Sequence, residues 1–261
     1  MKTMIYVVGG KGFVGSAIVR ECVIRDLPHK IITRENAIDF VGTSCDLLIN
    51  ANGNSKKYLS NDTPLWDFDA SVRSVRESLC TINSRKYILL SSCDVYTNLS
   101  NPQFNTEDAN IDVSKQSAYG FHKYMAEQCV MHAAKEWLIF RMGGFVGTGL
   151  KKNPIFDILN DNPLWLDPGS QLQFINVSEA AKIILDFAIS EERNQIYNLC
   201  GKGLISLQEV LDITGKNQDS SDDISPVCYN ICIDKILNKT PISNTRETVI
   251  GFVNDTSKEG I

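Results

Sequence analysis

The sequence predicts an α/β fold in which helices cover both faces of a doubly wound parallel sheet. Short apolar runs alternate along the chain with segments of helical periodicity, which is the order that a parallel sheet requires. The first run, Met4–Val8, leads directly into the glycine-rich turn Gly9–Gly15, and a helical segment follows. A strand, a glycine turn and a helix in this order predict a Rossmann-like unit that binds a dinucleotide.

The composition is that of an ordinary globular protein, with 261 residues, 43% of them hydrophobic and 22% charged. Because the net charge is −5 and no basic run stands out, we expect no nucleic-acid partner. No apolar run reaches membrane-spanning length, so we expect no membrane association either. The eight cysteines are scattered and the three histidines show no metal-ligand spacing, which predicts reduced thiols, no metal site and a cytoplasmic location.

The glycine turn has the spacing G-x-x-G-x-x-G. We expect Gly9 to form the turn, Gly12 to admit a pyrophosphate close to the backbone, and Gly15 to let the helix pack on the strand. The phosphates would lie at the helix N-terminus. The alternative is a tight turn without a ligand, which the flanking strand and helix disfavour. The cofactor-binding residues predicted in this turn are Gly9, Lys11, Gly12, Phe13, Val14 and Gly15.

The residues after the second predicted strand, Lys30–Thr33, bear on the choice of cofactor. Folds that bind NAD place an acid about 20 residues past the glycines for the ribose 2′-hydroxyl. Here Arg34 ends the strand instead, and an arginine can pair with a 2′-phosphate. Lys11 adds a second positive charge nearby. We therefore predict NADP, with NAD as the alternative if Arg34 is only a solvated surface charge.

Two further segments complete the first part of the sheet. Glu35–Ser44 is too short for an additional strand and helix, so we expect that pair to be missing. Asp46–Asn50 is a buried strand, and Ala51 and Asn52 follow it, at the sheet edge where ligands bind in open α/β folds. We therefore assign both residues to the cofactor site. Trp66–Thr81 is predicted to form one helix.

A serine, a tyrosine and a lysine form the predicted catalytic group. The apolar strand Lys86–Leu90 leads to Ser92, which would hold a substrate oxygen. Tyr119 and Lys123 lie four residues apart, hence on one face of the helix predicted over Tyr119–Lys135. The ammonium of Lys123 would favour tyrosinate and lower the pKa of Tyr119 toward the working range of an acid/base. Together with a dinucleotide, these residues predict a hydride-transfer site.

The combination of motifs resembles the extended short-chain dehydrogenases/reductases. It consists of Ser-Ser-x-x-Val-Tyr at residues 91–96 and Tyr-x-x-x-Lys at residues 119–123, behind the glycine turn. The resemblance runs from Met4 to about Tyr197, and the family includes epimerases, dehydratases and 4-keto reductases of nucleotide sugars. It implies that Ser92, four residues before Tyr96, is catalytic. It also implies that Tyr119 is the acid/base and that Lys123 holds the nicotinamide ribose.

The domain organisation is predicted as a dinucleotide-binding domain with a small substrate lobe. The first would comprise residues 1–145 and 171–200, and the second residues 146–170 and 201–261.

Three segments outside the main sheet have predictions of their own. The polar, turn-rich segment Asn98–Lys115 is expected to be an exposed loop. Asp219–Asp223 is acidic and expected to be a loop, and Cys228–Ile233 is expected to form a short strand.

The substrate side is less regular. Dehydratases of the family carry an Asp-Glu pair directly after the catalytic hydroxyl residue, and Cys93 and Asp94 stand there instead, which disfavours full dehydratase chemistry. Cys93 either contacts substrate or is a small buried residue, and Asp94 either contacts substrate or caps the following turn. Gly144 belongs to a glycine-rich passage that resembles the start of the substrate lobe. Leu172 and Gln173 stand where the family commonly has an arginine for a diphosphate.

These observations favour reduction of a keto group on a sugar or nucleotide-linked sugar, with NADPH as donor. Epimerisation by transient oxidation is the first alternative, and a non-catalytic protein that senses NADP(H) is the second. The expected partner is a small-molecule substrate. The family habit is a homodimer built on the helix of Tyr119 and the helix Trp66–Thr81.

Overall fold

The computed structural model describes residues 3–54, 56–217 and 224–259 of the chain. The predicted acidic loop Asp219–Asp223 lies outside these described residues. Within them, no helix combines the length and apolar character that crossing a membrane demands.

The strands and helices follow the predicted alternation. The strands are β1 (Ile5–Val8), β2 (His29–Ile32), β3 (Ser44–Asn50), β4 (Asn83–Ser92), β5 (Glu136–Met142), β6 (Gly144–Val146), β7 (Gln171–Leu172), β8 (Phe174–Asn176), β9 (Gln195–Leu199) and β10 (Ile205–Ser206). The helices are α1 (Phe13–Ile24), α2 (Leu59–Asp62), α3 (Pro64–Phe68), α4 (Ser74–Thr81), α5 (Ala118–Ala133), α6 (Pro154–Leu159), α7 (Val177–Ile189), α8 (Leu207–Thr214), α9 (Asp234–Leu237) and α10 (Thr245–Glu259).

The main sheet has six strands in the order β2-β1-β3-β4-β5-β9, and the pairs from β2 to β5 are parallel. This confirms the predicted α/β class with a doubly wound, Rossmann-like sheet. The chain leaves β1 toward β2 on one side and returns to β3 on the other, so the strand order reverses at β1. The carboxyl ends of β1 and β3 flank this reversal, which is where open α/β sheets bind ligands.

The central strands are almost continuously apolar because helices cover both faces of a parallel sheet. β1 and β3 to β5 therefore have largely buried side chains. One core cluster of this region consists of Tyr6, Ile32, Phe40, Leu48, Val75, Ile82, Tyr87, Leu89, Ala126, Val130 and Ile139. The helix α5 packs its apolar side into this cluster, which places its N-terminal turn at the carboxyl edge of the sheet.

Two local features of the sheet region bear on the expected elements. Between β2 and β3 the chain makes only a 3₁₀ turn, Ala37–Phe40, in agreement with the expected loss of a strand and helix. The helix predicted over Trp66–Thr81 is confirmed as one continuous helical segment, in which the π-helical turn Asp69–Arg73 joins α3 to α4. Single π turns occur mostly as insertions within α-helices, often at functional sites.

The chain divides into two compact units. The first comprises Met1–Thr97, Asn110–Met142 and Ser178–Tyr197, and the second comprises Asn98–Ala109, Gly143–Val177 and Asn198–Ile261. The predicted division into a dinucleotide-binding domain and a substrate lobe assigns functions to parts of the chain, and that assignment stays a prediction.

The second unit contains two small sheets, β6 with β8 in parallel and β7 with β10 antiparallel. Its core cluster consists of Val146, Ile155, Ile158, Leu164, Leu172, Phe174, Ile205, Leu207, Val210, Leu211, Val249 and Val253.

Two predictions outside the main sheet are wrong in part or in whole. Asn98–Lys115 was expected to be an exposed loop, and this is wrong for Asn105 and Glu107, which are buried. Asn105 Oδ1 accepts a hydrogen bond from the Cys232 amide at 2.8 Å, and Glu107 Oε1 accepts one from the Asn198 amide at 2.8 Å. These polar groups satisfy buried backbone amides, which explains why a polar segment lies inside. The expected strand Cys228–Ile233 reduces to one isolated bridge between Cys228 and Gln171.

Candidate active site

The glycine turn after β1 is closed by contacts that only glycine allows. Gly9 has a φ of +75°, and a Cβ placed on Gly15 would lie 2.2 Å from the carbonyl oxygen of Gly9. The amide of Gly12 donates to that same carbonyl at 2.9 Å. The first turn of α1 therefore packs directly on the end of β1, as the spacing of the glycines predicts.

The N-terminus of α1 follows the glycine turn at the carboxyl end of β1. Gly12 is the residue before the helix, and no side chain caps the first turn. The half-buried Phe13 and Val14 supply backbone N–H groups in this turn. The N–H groups of a helix N-terminus attract an anion, and the missing Cβ atoms of the glycines leave room for it to approach the backbone. The turn thus fits the pyrophosphate of a dinucleotide.

The charged residues that are predicted to favour NADP over NAD lie on the surface. Lys11 is exposed within the glycine turn, and Arg34 is exposed two residues after the end of β2. Glu35 lies beside them, since both cations contribute to its electrostatics. Its pKa is lowered, chiefly by a hydrogen bond from Thr33 and less by the charges of Lys11 and Arg34. Lys11 and Arg34 thus lie near each other at Glu35, an acid that the sequence analysis did not consider. Their role in cofactor binding stays a prediction.

The loop after β3 is held by a buried amide. Asn50 donates from Nδ2 to the Tyr87 hydroxyl at 2.8 Å, and its Oδ1 accepts the amide of Asn52 at 3.0 Å. The Asn52 side chain donates to Ser74 Oγ at 3.3 Å. A Cβ on Gly9 would meet the backbone of Ala51 and Asn52 at 3.0–3.1 Å. The two predicted loop residues, Ala51 and Asn52, thus lie against the glycine turn.

Ser92 and Tyr119 meet because β4 and α5 approach each other closely. Ser92 is the last residue of β4, and Tyr119 lies in the first turn of α5, which Ser117 caps by accepting the Gly120 amide at 3.0 Å. A Cβ on Gly120 would lie 2.1 Å from the carbonyl oxygen of Asp94, so this approach requires glycine. Ser92 lies close enough to the Tyr119 hydroxyl to lower the pKa of the phenol.

Lys123 lies one turn further along α5. Its Nζ is 5.8 Å from the centroid of the Tyr119 ring, and the side chain is buried. A Cβ on Gly53 would lie only 2.7 Å from this Nζ, so the loop after β3 passes directly over the ammonium group. Burial lowers the pKa of Lys123, and the carboxylates of Asp67, Glu127 and Asp94 oppose that shift.

The predicted direction of the Tyr119 pKa is wrong in this structure. Burial of the phenol raises its pKa above the ordinary value, and the charge of Asp94 raises it further. Lys57 and Ser92 act in the opposite direction and lower the pKa. The sequence analysis weighed only the attraction of Lys123 for tyrosinate, whereas desolvation disfavours any buried anion.

Asp94 connects Ser92 to a lysine that the sequence analysis missed. Ser92 Oγ donates to Asp94 Oδ2 at 2.8 Å, and the Asp94 amide donates back to Ser92 Oγ at 3.2 Å. Lys57 Nζ lies 2.6 Å from Asp94 Oδ2 and 2.7 Å from Oδ1. Ser92 thus caps the turn after β4, and Asp94 pairs both with Ser92 and with Lys57. No local pattern identifies Lys57, because the pair joins positions far apart in the chain.

A buried acid–histidine pair supports the same helix. Asp67, on α3, is fully buried, and its Oδ2 lies 2.6 Å from Nδ1 of His122. Ser71 donates to Asp67 Oδ1 at 3.3 Å. Burial acts to raise the pKa of Asp67, but hydrogen bonds from His122, Ser60 and Asn54 outweigh it, and the pKa is lowered. The sequence analysis missed this pair.

A second buried network lies behind the site. Arg141 donates to Glu127 through Nη2 at 2.7 Å and to the Tyr96 hydroxyl through Nη1 at 2.8 Å. Ser91 Oγ donates to Glu127 Oε1 at 2.6 Å. Two signals in the sequence could have identified this network. Glu127 continues the four-residue spacing of the catalytic pair, and Arg141 is a charge within a buried strand, which requires a partner.

The remaining predicted residues have structural contacts. The thiol of Cys93 is buried and donates to the carbonyl oxygen of Arg141 at 3.3 Å. Gly144, in the second unit, begins β6, where a Cβ would lie 2.7 Å from the Phe174 ring. Gln173 is buried and exchanges hydrogen bonds with the backbone of Ile231 at 2.7 and 3.3 Å. Within the first unit, the structure therefore brings together the glycine turn, the loop after β3, and the group of Ser92, Tyr119 and Lys123.

Comparisons with known proteins agree with this geometry. The sequence profile of the NAD-dependent epimerase/dehydratase family matches residues 5–200. A search of curated proteins finds no significant match. Among solved structures, RMD from Pseudomonas aeruginosa complexed with NADPH has a TM-score of 0.83 at 14% identity, and the alignment covers 100% of both chains.

Two further structures show the same fold. The dTDP-4-dehydrorhamnose reductase of Bacillus anthracis in complex with NADP has a TM-score of 0.79 at 13% identity, covering 98% of this chain and 99% of that one. A UDP-galactose 4-epimerase has a TM-score of 0.78 at 19% identity, covering 99% and 100%. At these identities the likeness establishes the fold, and the profile establishes the relationship. Since the profile spans the region from β1 through β9, this enzyme belongs to the NAD-dependent epimerase/dehydratase family.

Proposed function

We propose that the protein is an NADP-dependent oxidoreductase that reduces the keto group of a sugar or nucleotide-linked sugar, with Tyr119 as the acid/base. The observation that carries this proposal is the grouping of three side chains: Ser92 lies close enough to the Tyr119 phenol to lower its pKa, and the Lys123 ammonium is 5.8 Å from the same ring. A hydroxyl and a phenol that lie side by side can both reach one carbonyl oxygen.

The glycine turn and the α1 N-terminus would hold the pyrophosphate, and Arg34 and Lys11 would pair with the 2′-phosphate. The nicotinamide, when bound, supplies the hydride. Tyr119 would donate a proton to the carbonyl oxygen of the substrate. Ser92 would hold that oxygen, and for this its hydroxyl must turn away from Asp94, to which it donates at 2.8 Å.

The substrate class rests on similar proteins. The solved structures of the same fold include a reductase of a dTDP-linked sugar and an epimerase of a UDP-linked sugar. Gln173 uses its amide within the second unit and supplies no charge for a diphosphate. We therefore keep both free and nucleotide-linked keto sugars as candidates.

The position of Glu35 favours a second candidate function. It stands in the turn after β2, near the place where NAD-binding folds carry an acid for the ribose hydroxyls. NAD retained during turnover would fit an epimerase that acts by transient oxidation. In that case Tyr119 would alternate between base and acid within one turnover.

The test uses the full-length protein with NADPH and a panel of free and nucleotide-linked keto sugars. We expect NADPH oxidation by the wild type, and a loss of about 10²–10⁴-fold in kcat for Tyr119→Phe with little change in NADPH affinity. Tyr124→Phe, one residue past Lys123 on the same helix, is the matched control and should stay active.

Two outcomes would redirect the assignment. Interconversion of sugar epimers without net consumption of cofactor would favour the epimerase. Tight NADPH binding without turnover of any sugar would favour a non-catalytic NADP(H) sensor.

A further inference from the structure

A second ammonium group lies over the ring of the proposed acid/base. Lys57 Nζ is 5.9 Å from the centroid of Tyr119, almost the same distance as Lys123 Nζ at 5.8 Å. Lys57 comes from the loop after β3, whereas Lys123 comes from the helix of the tyrosine itself. The phenol therefore faces two cations from two different elements.

The two cations have different surroundings. Lys123 is buried, whereas the side chain of Lys57 is 55% exposed. Lys57 forms a two-point ion pair with Asp94, whose side chain is 11% exposed. Asp94 in turn accepts a hydrogen bond from Ser92 at 2.8 Å, and Ser92 lies close enough to the Tyr119 hydroxyl to act on its pKa. The exposed lysine is thus linked through Asp94 to the immediate surroundings of the phenol.

Among the residues that the structure describes, four charged groups face the phenol. They are Lys123 on its own helix, Lys57 on the loop after β3, Asp94 on the turn after β4, and Asp67 on α3. The two lysines stabilise a phenolate by attraction, and the two carboxylates destabilise it. Asp67 is fully buried and bound to His122, so its charge is fixed in place. The Lys57–Asp94 pair is the part of this electrostatic environment that can vary, because the side chain of Lys57 reaches solvent.

We propose that Lys57 is a positioning residue that stabilises the anionic form of the Tyr119 phenol, and that Asp94 limits this effect. This inference rests on the proposed function of Tyr119 as acid/base. Burial raises the pKa of Tyr119, and Lys57 is the cation that lowers it, which agrees with this role. The acid/base would then be tuned by a residue that sits on a loop and not on the helix.

The alternative is a purely structural role, in which the ion pair holds the loop after β3 on the turn after β4. The two roles give different results when each partner is neutralised. Lys57→Met and Asp94→Asn break the same ion pair, so a structural role predicts similar effects. The electrostatic role predicts opposite effects, since one variant removes a positive charge from the phenol and the other removes a negative charge.

The first measurement needs no substrate. The ionisation of Tyr119 is followed by ultraviolet difference absorbance against pH, comparing each full-length protein with the same protein carrying Tyr119→Phe. We expect Lys57→Met to move the midpoint to higher pH and Asp94→Asn to lower pH, each by about one unit or less because Lys57 is partly solvated. Lys57→Arg should keep the wild-type midpoint.

The control is Lys56→Met, which removes a neighbouring exposed charge and keeps the hydrogen bonds that the Lys56 backbone shares with Asn54. Its midpoint should match the wild type. Shifts in the same direction for Lys57→Met and Asp94→Asn, or no shift in either, would overturn the proposal.

The second measurement is the pH dependence of kcat for keto-sugar reduction. Reduction needs the protonated phenol, so its alkaline limb should move to higher pH in Lys57→Met and to lower pH in Asp94→Asn. If Tyr119→Phe proves as active as the wild type, the proposed function fails, while the absorbance midpoints still decide the role of Lys57.

Discussion

The guanidinium of Arg141 donates to both carboxylate oxygens of Glu127, with Nη2 2.7 Å from Oε2 and Nε 3.1 Å from Oε1. Arg141 is 2% exposed and Glu127 is 0% exposed. Glu127 lies one helical turn after Lys123 on α5, and Arg141 lies on β5. The pair therefore ties the helix of the proposed acid/base to the sheet at a fixed height.

Glu127→Gln should destabilise the protein by about 3–5 kcal/mol, because the charge of Arg141 would remain buried without its counter-charge. The measurement is the free energy of unfolding in urea. The double variant Glu127→Leu with Arg141→Met, which removes both charges, should recover much of the loss. A single variant within about 1 kcal/mol of the wild type would contradict this account of the pair.

Gly15→Ala should abolish cofactor binding and lower stability by about 1–3 kcal/mol, because its Cβ would lie 2.2 Å from the Gly9 carbonyl oxygen. The helix α1 would have to move away from the glycine turn. Titration with NADPH and thermal unfolding provide the measurements. Gly251→Ala is the matched control, since a Cβ there meets nothing within 4 Å. Unchanged NADPH affinity in Gly15→Ala would show that the turn is not the pyrophosphate site.

Arg34→Ala should weaken NADPH binding by about tenfold or more and leave NADH binding nearly unchanged, because it removes a charge-assisted contact to the 2′-phosphate. Glu35→Gln should have the opposite effect and weaken the binding of NADH more than that of NADPH. Dissociation constants for both cofactors, measured on all three proteins, provide the test. A wild type that strongly prefers NADH, with Arg34→Ala unchanged, would reject the assignment of NADP.

Tyr87→Phe should change how stability depends on alkaline pH. Burial raises the pKa of Tyr87 to about 12, from an ordinary value of 10.0, although hydrogen bonds with Ser78 and Asn50 oppose the shift. The folded state thus holds this proton more tightly than the unfolded state. Its contribution is fully present below pH 10 and is lost as the pH rises toward 12.

The expected result is a shallower loss of unfolding free energy in Tyr87→Phe than in the wild type across that alkaline range. At neutral pH the variant should be less stable, because it removes hydrogen bonds inside a buried network. Urea unfolding at a series of pH values measures both effects. Parallel pH profiles for the two proteins would show that the phenol is not the responsible group.

The sequence predicted best the features that depend on local spacing. The glycine turn depends on three glycines within the short segment Gly9–Gly15. The Tyr119–Lys123 pair depends on one turn of helix, so both can be predicted from short patterns. The alternation of apolar runs likewise predicted the parallel sheet. These features need no knowledge of which distant segments meet.

The features that sequence could not predict depend on contacts between distant segments. Lys57 meets Asp94, and His122 meets Asp67, only because the fold brings their elements together. The pKa of Tyr119 was predicted in the wrong direction for the same reason, since the extent of desolvation is a property of the folded state.

The strand order also determines how the molecule presents its sheet to other molecules. With only a 3₁₀ turn between β2 and β3, β2 forms one margin of the sheet. Exposed strand margins invite pairing with further chains and thereby aggregation. This margin is four residues long and carries the exposed Lys30, whose ammonium stands 5.7 Å from the Tyr6 ring. A short edge strand and a lysine on it are two common features that limit pairing between sheets of different molecules. Both are present on β2, so we expect little aggregation through this edge.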